Sequence, residues 1–285
     1  MLESILSYGL AIGAVYALIG ITYNVMFTAS RVFSFTAGML GMVGGVLGAW
    51  FITRLGLPVI VGFVLVLACG ALIGVVTEIV TVRPVLKGIE QHLYVLSTLA
   101  FALMAQQFVA IEWGTEAQPF PRLLPIEDGW VDQQFVLPIL ACILTVVGLE
   151  VLYRHTLIGR AFRAIAEDSY AARALGLPEQ RLRTASFALA GMIGTLAGFT
   201  GAMMLLAYFG NQAILSFYGF VPVALGGMGS HRGAVVGGLA LGLFQQAANF
   251  LVGGIFAAVA VFVVFIIVLL LRPEGLAGAA TARRV

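Results

Sequence analysis

The chain has 285 residues, of which 61% are hydrophobic and 10% charged, with a formal net charge of +2 and a mean hydropathy of +1.06. A soluble domain keeps about a quarter of its residues charged, and a transmembrane barrel alternates apolar and polar residues over short segments. Continuous apolar runs such as Gly254 to Leu271 exclude both, so the expectation is an all-α, polytopic helical membrane protein forming a single transmembrane domain over 1-285, with a lipid bilayer as solvent and no nucleic-acid partner.

In chain order, apolar runs at about 5 to 28, 33 to 53, 57 to 80, 94 to 111, 135 to 153, 185 to 208, 214 to 229, 233 to 252 and 254 to 271 predict eight or nine crossings. The first lacks the positive n-region of a signal peptide and is expected to be retained. The second, "SRVFSFTAGMLGMVGGVLGAW", mixes Ser, Thr and Gly, and the seventh is short with Pro222 inside it. Both suit a broken or re-entrant segment whose freed backbone groups are buried in protein. An echo links "AGMLGMVGGVLGA" (Ala37 to Ala49) with "AGMIGTLAGFTGA" (Ala190 to Ala202), which agree at seven of thirteen places. It is either a trace of an internal repeat or the small-residue pattern of closely packed membrane helices.

Short cytoplasmic loops are enriched in Lys and Arg. Arg83 with Lys87, the segment 154-183 with Arg154, Arg160, Arg163, Arg173, Arg181 and Arg183, the turn at His231 and Arg232, and the tail with Arg272, Arg283 and Arg284 are therefore expected to be cytoplasmic. The segment 112-134 carries Glu112, Glu116, Glu127, Asp128 and Asp132 against Arg122 alone, and is expected to face outward as a periplasmic loop. Nine crossings put the amino terminus outside, and eight would move it.

Reactive constellations are hard to find. His92, His155 and His231 lie at loops or helix ends without neighbours at metal-ligand spacing, Cys69 and Cys142 read as small core residues, and no metal or cofactor is expected. The single lysine, Lys87 in "VRPVLKGIE", is not in a phosphate-binding loop. Glycine-rich "LGGMGSHRGAVVGG" lies between apolar helices and follows no strand. Ion coupling usually leaves ionisable residues deep in the membrane. Only Glu78 and Glu150 fall inside apolar runs, each near an arginine, Arg83 or Arg154, and both read as helix-end carboxylates snorkelling to the interface.

The charge is concentrated in "GRAFRAIAEDSYAARALGLPEQRLR", Gly159 to Arg183. Good helix formers predominate from Gly159 to Leu175, and Gly176 and Pro178 supply the stop. Phe162, Ile165, Ala166, Ser169, Ala172 and Leu175 share one modestly apolar face. Such a helix either lies on anionic lipid or offers its small-residue centre to a partner's cleft, with Arg and Glu giving directional pairing. Its alanine-rich face favours the partner.

This stretch, extended to "TASFALAGMIGTLAG", resembles the cytoplasmic loop and following helix of LivH- and LivM-type permeases of ABC importers for branched-chain amino acids. "YGLAIGAVYALIGITYNVMF", "LGGMGSHRGAVVGGLALGL" and "LRPEGLAG" are similar to that family's first helix, glycine-rich late hairpin and carboxy-terminal signature. The resemblance covers nearly the whole chain. It implies a non-catalytic, multi-pass subunit of the bacterial inner membrane, paired with a second LivM-like permease, two cytoplasmic ABC ATPases that hydrolyse ATP, and a periplasmic solute-binding protein. Glu167, Asp168, Ala171, Ala172, Arg173 and Gly176 match the loop expected to enter an ATPase cleft. Polar residues embedded in apolar runs, Asn24, Ser34, Thr36, Gln106, Gln107, Gln245 and Asn249, are candidates either for the translocation pathway or for interhelical hydrogen bonds. Glu127 and Asp128 are candidates for binding-protein docking. The chain departs from the family at "RVFSFTAGML": three polar side chains typical there become Ser34, Ala37 and Met39, which points either to a more apolar or aromatic solute or to a repacked helix break. The competing readings are an ion-coupled secondary transporter and a channel-like membrane protein.

Overall fold

The computed structural model describes residues 2–86, 93–121, 123 and 132–271. The helices are α1 (Leu2–Ser30), α2 (Ala37–Ala49), α3 (Val59–Thr77), α4 (Arg83–Leu86), α5 (Tyr94–Trp113), α6 (Gln133–His155), α7 (Leu157–Glu167), α8 (Ser169–Ala174), α9 (Glu179–Leu205), α10 (Asn211–Gly226), α11 (His231–Val252) and α12 (Gly254–Leu271). Single π-helical turns, Trp50–Arg54 and Glu78–Val82, prolong α2 and join α3 to α4. Among the described residues, 7 helices are long and apolar enough to cross a bilayer, and α10 and α12 are shorter apolar helices. The protein is a polytopic helical membrane protein. Its only β pairing among the described residues is the isolated bridge Gln118–Ala207.

The sequence of α1 is apolar on every side, which suits a helix enclosed by others. Ala11 to Met26 are buried without interruption, against α9, α10, α11 and α6. By contrast α3, α5 and α6 expose Ile60, Leu72, Met104, Phe108, Ile111 and Leu144, as helices facing lipid or another membrane subunit must.

Small residues set how closely the inner helices approach. Any side chain at Gly44 would fall on the Thr195 carbonyl, and one at Gly198 on the Gly41 carbonyl. The two echoing segments are thus the contact faces of α2 and α9, and the shared Ala and Gly positions lie where two backbones touch. The same logic joins α3 to α9, where Gly74 abuts Phe187 and Gly191 abuts Gly70.

α11 runs antiparallel to α1, since Gly242 meets Gly9 and Gly13 while Ser230 meets Asn24. Pairing of Glu78 with Arg183, of Glu150 with Arg232 and of Arg31 with Ala166 then gathers the ends of α1, α3, α6 and α7 and the starts of α9 and α11 at one arginine-rich end. Trp50 and Trp113, 6.1 Å apart, and the Gln118–Ala207 bridge mark the other.

Candidate coupling site and pathway

The charged segment is two helices joined at Asp168, which corrects the single helix expected from Gly159 to Leu175. Asp168 is extended (φ −148°, ψ 104°) and its carboxylate accepts from the Tyr170 and Ala171 amides at 2.8 and 3.0 Å. An Asp in this role satisfies orphan donors at the start of α8, which outweighs the helix propensity around it. The stop at Gly176 falls where expected, with φ +82° and its amide on the Arg173 carbonyl at 2.9 Å.

Thr156 caps α7 through the Gly159 amide at 3.0 Å. A side chain at Gly159 would meet the Leu152 carbonyl, so this glycine lets the chain fold back on α6. Phe162 and Ile165 are buried, Arg163 donates to the Tyr153 carbonyl and Arg31 to the Ala166 carbonyl. Helix α7 is therefore tied to both α6 and α1. Beyond it, Tyr170 and Leu175 are 78% and 82% exposed, so the apolar face expected over Phe162 to Leu175 is buried at Phe162, Ile165 and Ala172 and open at Leu175. Glu167, Asp168, Ala171, Arg173 and Gly176 are exposed, whereas Ala172 is buried and packs inward.

Arg173 pairs with Glu179 at 3.3 Å, Glu179 lies 4.0 Å from Arg183, and Arg183 donates to Glu78 at 2.9 Å. The other Glu78 oxygen accepts from Arg83 at 2.7 Å and from the Thr184 hydroxyl at 3.0 Å. A chain of ion pairs thus runs from α8 through the start of α9 to the foot of α3. Glu78 has the Arg83 partner expected, but it does not snorkel: it is fully buried. The cause is the π turn, whose closing amide, Arg83 to the Glu78 carbonyl, sets residues i and i+5 one above the other. Glu150 has the expected Arg154 at 2.5 Å and adds Arg232 at 3.0 Å.

The polar residues singled out in the apolar runs fall in three places. Asn24 is buried; its amide donates to the Ser230 carbonyl at 3.0 Å and its oxygen accepts from Gly229 at 2.9 Å, so it clamps the turn between α10 and α11. Ser34 and Thr36 share a buried hydrogen bond of 2.8 Å in the irregular segment between α1 and α2. Around them Tyr23 stacks on Phe33 at 4.9 Å, Phe35 and Phe220 meet Phe33 edge-on at 5.2 and 5.3 Å, and the Phe35 amide donates to Thr98 at 3.3 Å. Gln106 and Gln107 sit half-buried and exposed on α5, which packs on α2 and α4. Gln245 and Asn249 are half-buried on α11; the Gln245 carbonyl oxygen is buried without a partner among the described residues, and Asn249 donates to Gln246 at 3.3 Å. The seven therefore do not form one cluster. Glu127 and Asp128 lie outside the described residues. Among the described residues no group of three His, Cys, Asp or Glu is placed to hold a metal.

Sequence reasoning missed Arg31, Arg183, Thr184 and Arg232 as partners. Each contact joins residues 82 to 135 positions apart, which no local spacing discloses.

Residues 5–272 match the family model described as the branched-chain amino acid transport system permease component. The high-affinity branched-chain amino acid transport system permease protein LivH of Escherichia coli K12 is 28% identical over 301 residues, covering 97% of this chain and 96% of its own. The corresponding BraD protein of Pseudomonas aeruginosa is 27% identical over 299 residues, with the same coverage. Among solved structures, PsaBC from Streptococcus pneumoniae in complex with Fab aligns with a TM-score of 0.54 at 12% identity, over 95% of this chain and 92% of that one. This last likeness concerns the fold alone.

Proposed function

The chain belongs to the family of branched-chain amino acid transport system permease components, and from that premise we propose that it is the membrane-spanning permease of an ABC importer, driven by partner ATPases. It resides in the bacterial inner membrane as a non-catalytic subunit, beside a LivM-like permease, two cytoplasmic ATPases and a periplasmic solute-binding protein. The segment 154-183 faces the cytoplasm, and 112-134 faces the periplasm. ATP is hydrolysed on the partner chains, and their closure moves α8.

One observation carries this reading. A short capped helix, α8, stands exposed at the arginine-rich end, ion-paired to α9 through Arg173, and it follows α7, which is hydrogen-bonded to α6 and to Arg31 at the end of α1. Glu167, Asp168, Ala171, Arg173 and Gly176 form the exposed docking surface, and Ala172 anchors it from within. The chain Arg173–Glu179–Arg183–Glu78 carries displacement of α8 to α3, and the bond from Arg31 to Ala166 ties the preceding helix α7 to the end of α1. An interface of this kind alternates between discrete packings instead of deforming continuously.

The substrate is a branched-chain amino acid or a related, more apolar or aromatic solute. The rings of Tyr23, Phe33, Phe35 and Phe220 around the Ser34–Thr36 pair support this, because they surround the helix break with apolar surface. Ser34, Thr36, Gln245 and Asn249 are the pathway residues retained in this reading; Asn24 serves the turn, and Gln106 and Gln107 sit apart from these on α5. Glu127 and Asp128 dock the binding protein.

The test is co-expression with the ATPases encoded beside it, followed by purification and ATP-driven uptake in proteoliposomes. Glu167→Lys is expected to abolish uptake and weaken the complex. Asp168→Asn, which keeps a capping oxygen, separates the loss of charge from the loss of helix α8. No complex with the ATPases, or full uptake by Glu167→Lys, would sink the docking reading.

A further inference from the structure

A polar cavity of about 370 Å³ opens at the arginine-rich end between α1, α6, α7 and the start of α11. Its lining includes Thr28, Glu150, Arg154, Arg163, His231 and Arg232. The charge balance there is uneven. Arg154 and Arg232 share the single carboxylate of Glu150, while Arg163 has only a backbone carbonyl, that of Tyr153, as partner among the described residues. Three guanidinium groups thus face one acid. The amino-terminal end of the 22-residue helix α11, capped by Ser230 through the Gly233 amide at 3.0 Å, adds positive potential at the same cavity wall.

We propose that this cavity binds a phosphate-bearing anion, supplied by the head group of an anionic phospholipid. The position selects the source. Thr28, Arg154 and Arg232 stand in the terminal turns of membrane-spanning helices, so the cavity lies at the height where lipid phosphates sit, and basic pockets between helices at that level bind such head groups. Arginine offers a planar fork suited to phosphate oxygens, and the exposure of the Arg154 and Arg232 side chains, 59% and 75%, leaves donors free of Glu150. The lipid bridges α6, α7 and α11 by touching all three. This inference depends on the membrane setting and not on the transport reading.

The test uses the full-length chain purified in mild detergent from membranes containing phosphatidylglycerol and phosphatidylcholine, with retained lipids counted by native mass spectrometry. The wild type retains phosphatidylglycerol in preference, and the double variant Arg163→Gln/Arg232→Gln loses that preference, by roughly fivefold per arginine removed. Arg160→Gln/Arg181→Gln, an equal charge change on two exposed residues outside the cavity lining, keeps it. The variants remove exposed side chains and are expected to fold, which their melting temperature in phosphatidylcholine verifies. Equal retention of the two lipids by the wild type, or an unchanged preference in the double variant, overturns the proposal. Stabilisation of the delipidated wild type by inorganic phosphate alone, with no added effect of phosphatidylglycerol, overturns the lipid source.

Discussion

Two carboxylates near the arginine-rich end are built alike and behave differently. Glu78 and Glu150 each hold one arginine from their own helical stretch, Arg83 and Arg154, and one from the start of a distant helix, Arg183 and Arg232. Glu78 is fully buried, with Arg183 only 10% exposed, whereas the side chain of Glu150 is 43% exposed. Burial makes the first cluster a fixed joint between α3 and α9, because removing the carboxylate leaves Arg183 with little access to water. The second remains open to solvent and to exogenous anions, since exposed ion pairs contribute little and exchange partners readily.

The largest expected effect breaks the buried joint. Glu78→Ala takes the close carboxylate from Arg183, leaving it Glu179 at 4.0 Å, and is expected to cost about 3–5 kcal/mol, read as a lowered unfolding midpoint in detergent. If Glu78 lost no more than Glu150 does on truncation, the contrast drawn from burial would fail. Arg83→Ala is gentler, about 1.5–3 kcal/mol for a charge-assisted hydrogen bond, because Arg183 and Thr184 still hold the carboxylate. Arg154→Ala, the matching truncation at the open cluster, is expected to cost less than about 1 kcal/mol.

Above the joint lies the glycine seam of α3 and α9. Gly74→Ala drives a methyl group into the Phe187 carbonyl, at about 1–3 kcal/mol for overpacking. Both Gly74 and Glu78 act on one helix contact, so the double variant Gly74→Ala/Glu78→Ala should lose less than the sum of the singles. Strict additivity in that cycle would show that seam and joint hold the helices independently.

What the sequence disclosed of these clusters follows from distance along the chain. Arg154 is one helical turn from Glu150, a spacing any α-helix presents. Arg83 is nearby too, but its alignment over Glu78 needs the i+5 register of a π turn, which no residue pattern announces. Arg183 and Arg232 were legible as loop charge and illegible as partners. The membrane spans were readable because each apolar run must satisfy its own backbone as a helix, and the echo between Ala37–Ala49 and Ala190–Ala202 was readable as composition. That those two stretches face each other required the fold. Asp168 shows the reverse difficulty: propensity favoured one continuous helix, and a single side chain capping the amides of Tyr170 and Ala171 divided it.

The smallest expected effect on stability is also the sharpest for the comparison. Glu150→Gln removes a half-exposed acid and should change stability by less than about 1 kcal/mol, a difference that salt reduces further. The same substitution takes away the one carboxylate competing for Arg154 and Arg232, so phosphatidylglycerol retention should rise, not fall. At Glu78 the corresponding Gln variant removes a buried carboxylate that holds Arg83, Arg183 and Thr184 and should lose stability. Retention that drops in Glu150→Gln would mean that the carboxylate organises the arginines for the anion instead of competing with it. The two clusters would then differ in exposure but not in kind.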